Sequence, residues 1–123
     1  MIRLVLVDDQ RVVRQGLCRR LALEPDMSVV GEASNGREAM TLVQQLTPDI
    51  VLMDVEMPDM DGISAAAGMH ASTPQSAVVM LSIYDDVSTR AHAHAAGAAA
   101  FVNKNGAVEA LLATIRQAVG QKK

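Results

Sequence analysis

Five short apolar runs, at residues 2–7, 29–33, 50–53, 77–81 and 99–102, alternate with stretches of helical spacing from one end of the chain to the other. The runs are mostly β-branched or aliphatic and show no clear polar alternation. A strand with one wet face alternates with a period of two, whereas a strand covered on both faces need not. The runs therefore predict strands of a parallel sheet buried between two layers. Between them, Val13, Leu17 and Leu21 recur every fourth residue. Ala39, Leu42, Val43 and Leu46 follow the i, i+3, i+4, i+7 spacing of a helix face, as do Val108, Leu111, Leu112 and Ile115, extended by Val119. The helix expected at 62–71 has the weakest pattern, a short alanine stripe broken by Gly68, which costs about 1 kcal/mol of helix propensity relative to alanine. Asn35, with Glu38 three residues on, predicts an N-cap; Asp85 and Asn105 are further cap candidates, and Asp9 is one for the first helix. Pro25 and Pro48 fall in connections, and Gly97 suits a helix C′ position. Five strand–helix units with right-handed crossovers give a (βα)5 α/β fold, a three-layer sandwich with helices on both faces of one parallel sheet.

Composition narrows the class further. At 123 residues the chain fits one domain, and with no Trp, one Phe and one Tyr its core must be aliphatic, helped by eight Met. No apolar run approaches the ~20 residues of a membrane span, and the start leads straight into a strand pattern rather than a signal peptide. One cysteine, Cys18, forms no internal disulfide, which fits a reducing cytoplasm, and it reads as a small buried side chain on a helix. A net charge of −3 gives this domain no reason to bind nucleic acid itself. The expectation is a soluble, cytoplasmic domain spanning 2–119, with 120–123 a tail or the start of a linker.

In open parallel sheets, ligands bind outside the carboxyl ends of the strands. The first run ends in Asp8 and Asp9, the third in Asp54, the fourth in Ser82, and Lys104 follows the fifth. Three carboxylates, a hydroxyl and an ammonium thus converge on one rim. At an effective dielectric near 20, two like charges 4 Å apart repel by about 4 kcal/mol. A divalent cation relieves that cost. Mg²⁺ suits the site because it takes a few carboxylates, keeps several waters and accepts phosphate oxygens. Asp54 is then placed as a nucleophile toward phosphorus, with the Ser82 hydroxyl and Lys104 positioned to stabilise the transferred group. His92 and His94 lie about 200° apart around a helix and cannot chelate one metal. The acids of residues 57–62 lack EF-hand spacing and its terminal Glu, and neither a Gly-Lys-Ser/Thr phosphate loop nor a Gly-x-Gly-x-x-Gly turn occurs.

The segments Leu6-Val7-Asp8-Asp9, Val51-Leu52-Met53-Asp54-Val55-Glu56-Met57-Pro58-Asp59-Met60-Asp61-Gly62, Leu81-Ser82 and Phe101-Val102-Asn103-Lys104 together resemble the signature of response-regulator receiver domains, along essentially the whole chain. The resemblance implies a flavodoxin-like sheet of order 2-1-3-4-5 and a two-state switch phosphorylated on Asp54 by a sensor histidine kinase. It implies that Asp8 and Asp9 form the metal pocket, that Asp9 and Asp54 ligate Mg²⁺ directly with the backbone carbonyl of Glu56, and that Lys104 pairs with a phosphoryl oxygen. Ser82 stands where threonine is commoner. Phe101 resembles the aromatic that turns inward on activation, and residues 57–62 resemble the loop shaping the floor of the site. Glu56 and Tyr84 flank the approach of a hydrolytic water, and the bulky Ile83 and Tyr84 are expected to slow loss of the phosphoryl group.

Asn105 stands where many such domains have proline. With Ser82-Ile83-Tyr84-Asp85-Asp86 and the stretch from Val29 to Ala39, it is similar to the NarL/FixJ-type regulators. That implies transcriptional output through a DNA-binding domain after the last helix. From the switch itself, dimerisation on phosphorylation is expected, through exposed faces near the fourth and fifth helices. Two other readings use the same residues. One is a Mg²⁺-dependent phosphatase working through an aspartyl phosphate, with Glu56 as general acid. The other is a receiver-like interaction module that no longer uses phosphorylation.

Overall fold

A computed structural model describes residues 1–57 and 60–121. Pro58 and Asp59 of the expected floor loop lie outside the described residues, as do Lys122 and Lys123. The chain runs β1 (Ile2–Val7), α1 (Arg11–Leu21), β2 (Met27–Ala33), α2 (Gly36–Leu46), β3 (Ile50–Asp54), α3 (Gly62–Ser72), β4 (Ala77–Ser82), α4 (Val87–Ala95), β5 (Ala100–Asn103) and α5 (Val108–Gln121). The five strands form one parallel sheet ordered β2-β1-β3-β4-β5. Both the (βα)5 reading and the flavodoxin-like order hold.

Alternate residues of each central strand feed two separate cores. Val5, Val7, Val51, Met53, Val78 and Met80 face α2, α3 and α4. Leu4, Leu6, Ile50, Leu52, Val79 and Leu81 face α1 and α5, against Leu21, Leu112 and Ile115. With both faces apolar, no polar alternation survives in the sequence. The α3 face is lined by Ala65, Ala66 and Met69, so its short stripe of small residues lets that helix lie close to the sheet.

Several local expectations shift. β2 begins two residues before the predicted run, at Met27, and β5 is displaced by one, to Ala100–Asn103. Asn35 caps α2 as expected, accepting from the Glu38 N–H at 2.9 Å, while the Glu38 carboxylate accepts from the Ser34 N–H. Asp86, not Asp85, caps α4, because its carboxylate takes the Thr89 N–H at 3.1 Å and the Thr89 hydroxyl at 2.7 Å. Asp85 is held instead by Arg90. Asn105 does not cap α5, which starts three residues later; its N–H closes a turn onto Asn103 Oδ1. Asp9 is not the cap of α1 either, for Gln10 takes that position without a side-chain bond. α5 continues through Gly120 to Gln121, past the expected end of the domain. Gly97 does follow α4 with φ of +93°, the left-handed conformation of a C′ glycine.

Two glycines set how closely α3 packs. A Cβ on Gly62 would sit 2.1 Å from the Asp54 carbonyl oxygen, so only glycine lets α3 start against the end of β3. A Cβ on Gly68 would meet only the flexible end of Met40, its Cε at 2.6 Å. In denaturant unfolding, Gly62→Ala is expected to lose about 3 kcal/mol or more, because backbone would have to move. Gly68→Ala is expected to change stability by less than about 1 kcal/mol, the helix-propensity gain offsetting displacement of Met40.

Candidate phosphoacceptor and metal site

Strand order makes the crevice. The crossover from β1 goes to one side and β3 lies on the other, so the loops after these adjacent strands diverge. Asp8 immediately follows β1 and Asp54 ends β3, their strands in register through Val7 and Met53. Asp54 pairs in turn with Leu81 on β4, and Ser82 with Asn103 on β5. Asp8, Asp9, Asp54, Ser82 and Lys104 therefore share one rim, as the sequence predicted.

Carboxylate oxygens of Asp8, Asp9 and Asp54 lie within 4.8 Å of one another. Asp8 and Asp54 are 3% and 5% exposed, and Asp9 opens to solvent. Lys104 Nζ donates to Asp8 Oδ2 at 2.8 Å and stands 3.1 Å from Asp54 Oδ2. The Gln10 N–H bonds Asp8 Oδ1 at 2.9 Å and the Glu56 N–H reaches Asp54 Oδ1 at 3.3 Å. One ammonium faces three carboxylates. Burial pushes the Asp54 carboxyl above its usual range; Lys104, shared with Asp8, only partly draws it back, and the Asp8 charge adds to the rise. Burial works to lower the Lys104 pKa, but its bonds to Asp8 and Asp54 outweigh that and leave it raised.

The donor set is all oxygen, carries surplus negative charge and opens to water at Asp9. That suits a hard divalent cation such as Mg²⁺ rather than a nitrogen- or sulfur-seeking metal. Among the described residues, this is the one group of His, Cys, Asp and Glu side chains close enough to hold an ion. His92 and His94 lie exposed on α4, away from it.

Ser82 is fully buried and is turned to a partner that the sequence reading did not foresee. Its hydroxyl donates to the Glu56 carboxylate, with Oε1 at 3.1 Å and Oε2 at 3.2 Å, and accepts the Tyr84 N–H at 2.9 Å. On sequence, Glu56 enters as a main-chain ligand, as a flank of the hydrolytic water's approach and as the general acid of a phosphatase, not as the partner of Ser82. The place of Glu56 two residues beyond Asp54 is visible in the sequence, but its contact with the Ser82 hydroxyl is not. Ile83 and Tyr84, 52% and 57% exposed, line the same open cleft of about 640 Å³ as Asp54 and Lys104. Phe101 is half-buried on β5, packed against the core under α4. The Arg90 guanidinium lies 4.7 Å from the centre of its ring and is anchored by Asp85.

The sequence profile of the response regulator receiver domain matches residues 4–116. The transcriptional regulatory protein DegU of Brevibacillus brevis is 35% identical over 115 residues, which are 94% of this chain and 49% of that protein. A protein-glutamate methylesterase/protein-glutamine glutaminase of Nocardioides sp. is 41% identical over 99 residues, 80% of this chain and 27% of that protein. The signal receiver domain of the NarL response regulator from Mycobacterium tuberculosis superposes with a TM-score of 0.86 at 34% identity, covering 94% of this chain and 96% of that one. The chain thus spans about half the length of DegU and about a quarter of the esterase. With this fold, this rim and this extent of match, the chain belongs to the response regulator receiver domain family of two-component signalling.

Proposed function

We propose that Asp54 accepts a phosphoryl group from a sensor histidine kinase and holds it as a signal. The observation that carries this is the buried Asp54 carboxylate, beside two other acids and within reach of Lys104 Nζ at 3.1 Å. Asp8, Asp9 and Asp54 would hold Mg²⁺ together with the Glu56 main-chain carbonyl. Bound there, the ion neutralises surplus carboxylate charge and polarises phosphoryl oxygens. An Asp54 oxygen forms the bond to phosphorus while the bond from phosphorus to the donor breaks, its electron pair leaving with the donor. Lys104 then pairs with one phosphoryl oxygen and the Ser82 hydroxyl donates to another.

Phosphorylation replaces about one negative charge with nearly two and adds strong acceptors. For Ser82 and Lys104 to bond them, the ends of β4 and β5 draw inward. Phe101 follows and the α4–β5–α5 face changes shape, favouring a second copy of the chain. The receiver unit, expected over 2–119 and carried by α5 to Gln121, acts in the cytoplasm, and an output domain would be joined to it. Likeness to DegU, a transcriptional regulatory protein, supports a transcriptional output, with DNA reached only through a further, DNA-binding domain. The family match favours this switch, which assists its own phosphorylation and dephosphorylation, over a phosphatase. No helix among the described residues is long and apolar enough to cross a membrane.

Incubation of the wild-type chain with Mg²⁺ and a small phosphodonor is expected to add one phosphoryl group by intact mass, and none to Asp54→Asn. Equal modification of the variant would overturn the assignment. Because ionised Asp54 is unfavourably buried among like charges, Asp54→Asn is also expected to raise the metal-free melting temperature by a few degrees and to blunt its response to Mg²⁺. Wild type should gain about 1.4 kcal/mol at ten times the Mg²⁺ Kd, reversed by chelation. Acyl-phosphate lifetimes in Ile83→Ala and Tyr84→Ala are expected to shorten several-fold as water gains access; unchanged or longer lifetimes would show that these side chains do not shield the group.

A further inference from the structure

The buried Ser82 hydroxyl has one proton to donate, and here it is given to Glu56. Its oxygen is also engaged, by the Tyr84 N–H at 2.9 Å. Ser82 is 0% exposed, so no water stands ready to replace a lost partner. The hydroxyl therefore cannot donate to a phosphoryl oxygen on Asp54 until it leaves Glu56. Glu56 differs in just this respect: it is an exposed residue, and its carboxylate is rehydrated once released. It also sits two residues from Asp54, with its N–H 3.3 Å from Asp54 Oδ1. A dianion arriving on Asp54 repels a carboxylate there, so the group that Ser82 must bind is also the group that drives its resting partner away.

We infer that Glu56, through its carboxylate, is a positioning residue that turns the Ser82 hydroxyl away from the phosphoryl seat and so sets the threshold for activation. This rests on the phosphoacceptor reading above and adds a restraint within the same site. The hydroxyl is tied to the rest of the switch by the backbone, since the Lys104 N–H donates to the Ser82 carbonyl at 3.0 Å. Releasing the hydroxyl thus frees the end of β4 to move together with Lys104.

The test is a double-mutant cycle read by affinity for beryllofluoride, a phosphoryl mimic, in saturating Mg²⁺. Glu56→Ala is expected to tighten binding about tenfold, the scale of one hydrogen bond to a charged acceptor. Glu56→Gln, which keeps an acceptor oxygen without the charge, should fall between wild type and Glu56→Ala. In a Ser82→Ala background, adding Glu56→Ala should tighten binding by only the direct repulsion, about two- to threefold, because the hydroxyl to be released is gone. Equal tightening with and without Ser82 would mean that the Glu56 charge simply repels the ligand, and would overturn the inference. So would an unchanged or weaker affinity in Glu56→Ala while wild type still binds. A wild-type chain that fails to bind beryllofluoride would overturn the phosphoacceptor reading itself, which separates the two failures.

Discussion

The Lys104 ammonium spans the rim between Asp8 and Asp54, and most of the architecture serves to bring it there. Asp8 and Lys104 are 96 residues apart, on opposite sides of the β3–β4 pair. The lysine must reach from the end of β5 across β4 to β3 and β1, which requires a small side chain at the end of β4. Ser82 meets that need. Even so, one cation cannot balance three carboxylates, and the rim keeps a charge surplus that favours unfolding. The two aliphatic layers must stabilise the chain against it, and their buried Leu, Ile, Val and Met lie on the central strands that carry the acids. Site and core are thus coupled through the strands: the sheet holds the acids close enough to repel, and that proximity makes a hard cation favourable.

The same layout decides which part of the molecule can move. α3 buries Gly62, Ala65, Ala66 and Met69, whereas α4 buries only Ala93 and β5 has no fully buried residue. Val87, at the start of α4, is 85% exposed. An element with few buried apolar contacts is displaced at low cost. Ser82 and Lys104 sit at the carboxyl ends of β4 and β5, on either side of that loosely held helix. On the proposed switch, motion begun at the rim would spend little of its energy before reaching the α4–β5 surface, with β1, β3 and α3 as the frame.

Fold class was legible because parallel strands covered on both faces leave a distinctive trace, an apolar run without alternation. The rim followed from it, since knowing where strands end locates Asp8, Asp54, Ser82 and Lys104 together. Caps were less legible. Asp85 and Asp86 are adjacent and chemically alike, and the choice between them was settled by Arg90, which approaches from within α4 to take the first and leaves the second for Thr89. Asp9 had the composition of a cap, yet β1 places it among the acids instead. The Glu56–Ser82 contact was illegible for another reason. It joins residues 26 positions apart through side-chain torsions, and no periodicity in the sequence encodes those.

On the phosphoacceptor reading, the resting contacts have to be individually weak. Moving a two-state equilibrium from 1:99 to 99:1 takes about 5.5 kcal/mol of differential binding. Each charge-assisted hydrogen bond to a phosphoryl oxygen contributes about 1.5–3 kcal/mol. Ser82 and Lys104 together therefore have little to spare, more so because Lys104 already pairs with Asp8 and Asp54 at rest. Against them stand the Glu56–Ser82 bond and the Arg90 guanidinium over Phe101, a contact of about 0.5–1 kcal/mol where exposed. A buried, fully paired latch of about 3–5 kcal/mol would lock the chain off. The open placement of Glu56 and Arg90 keeps their restraint within what a single phosphoryl group can reverse.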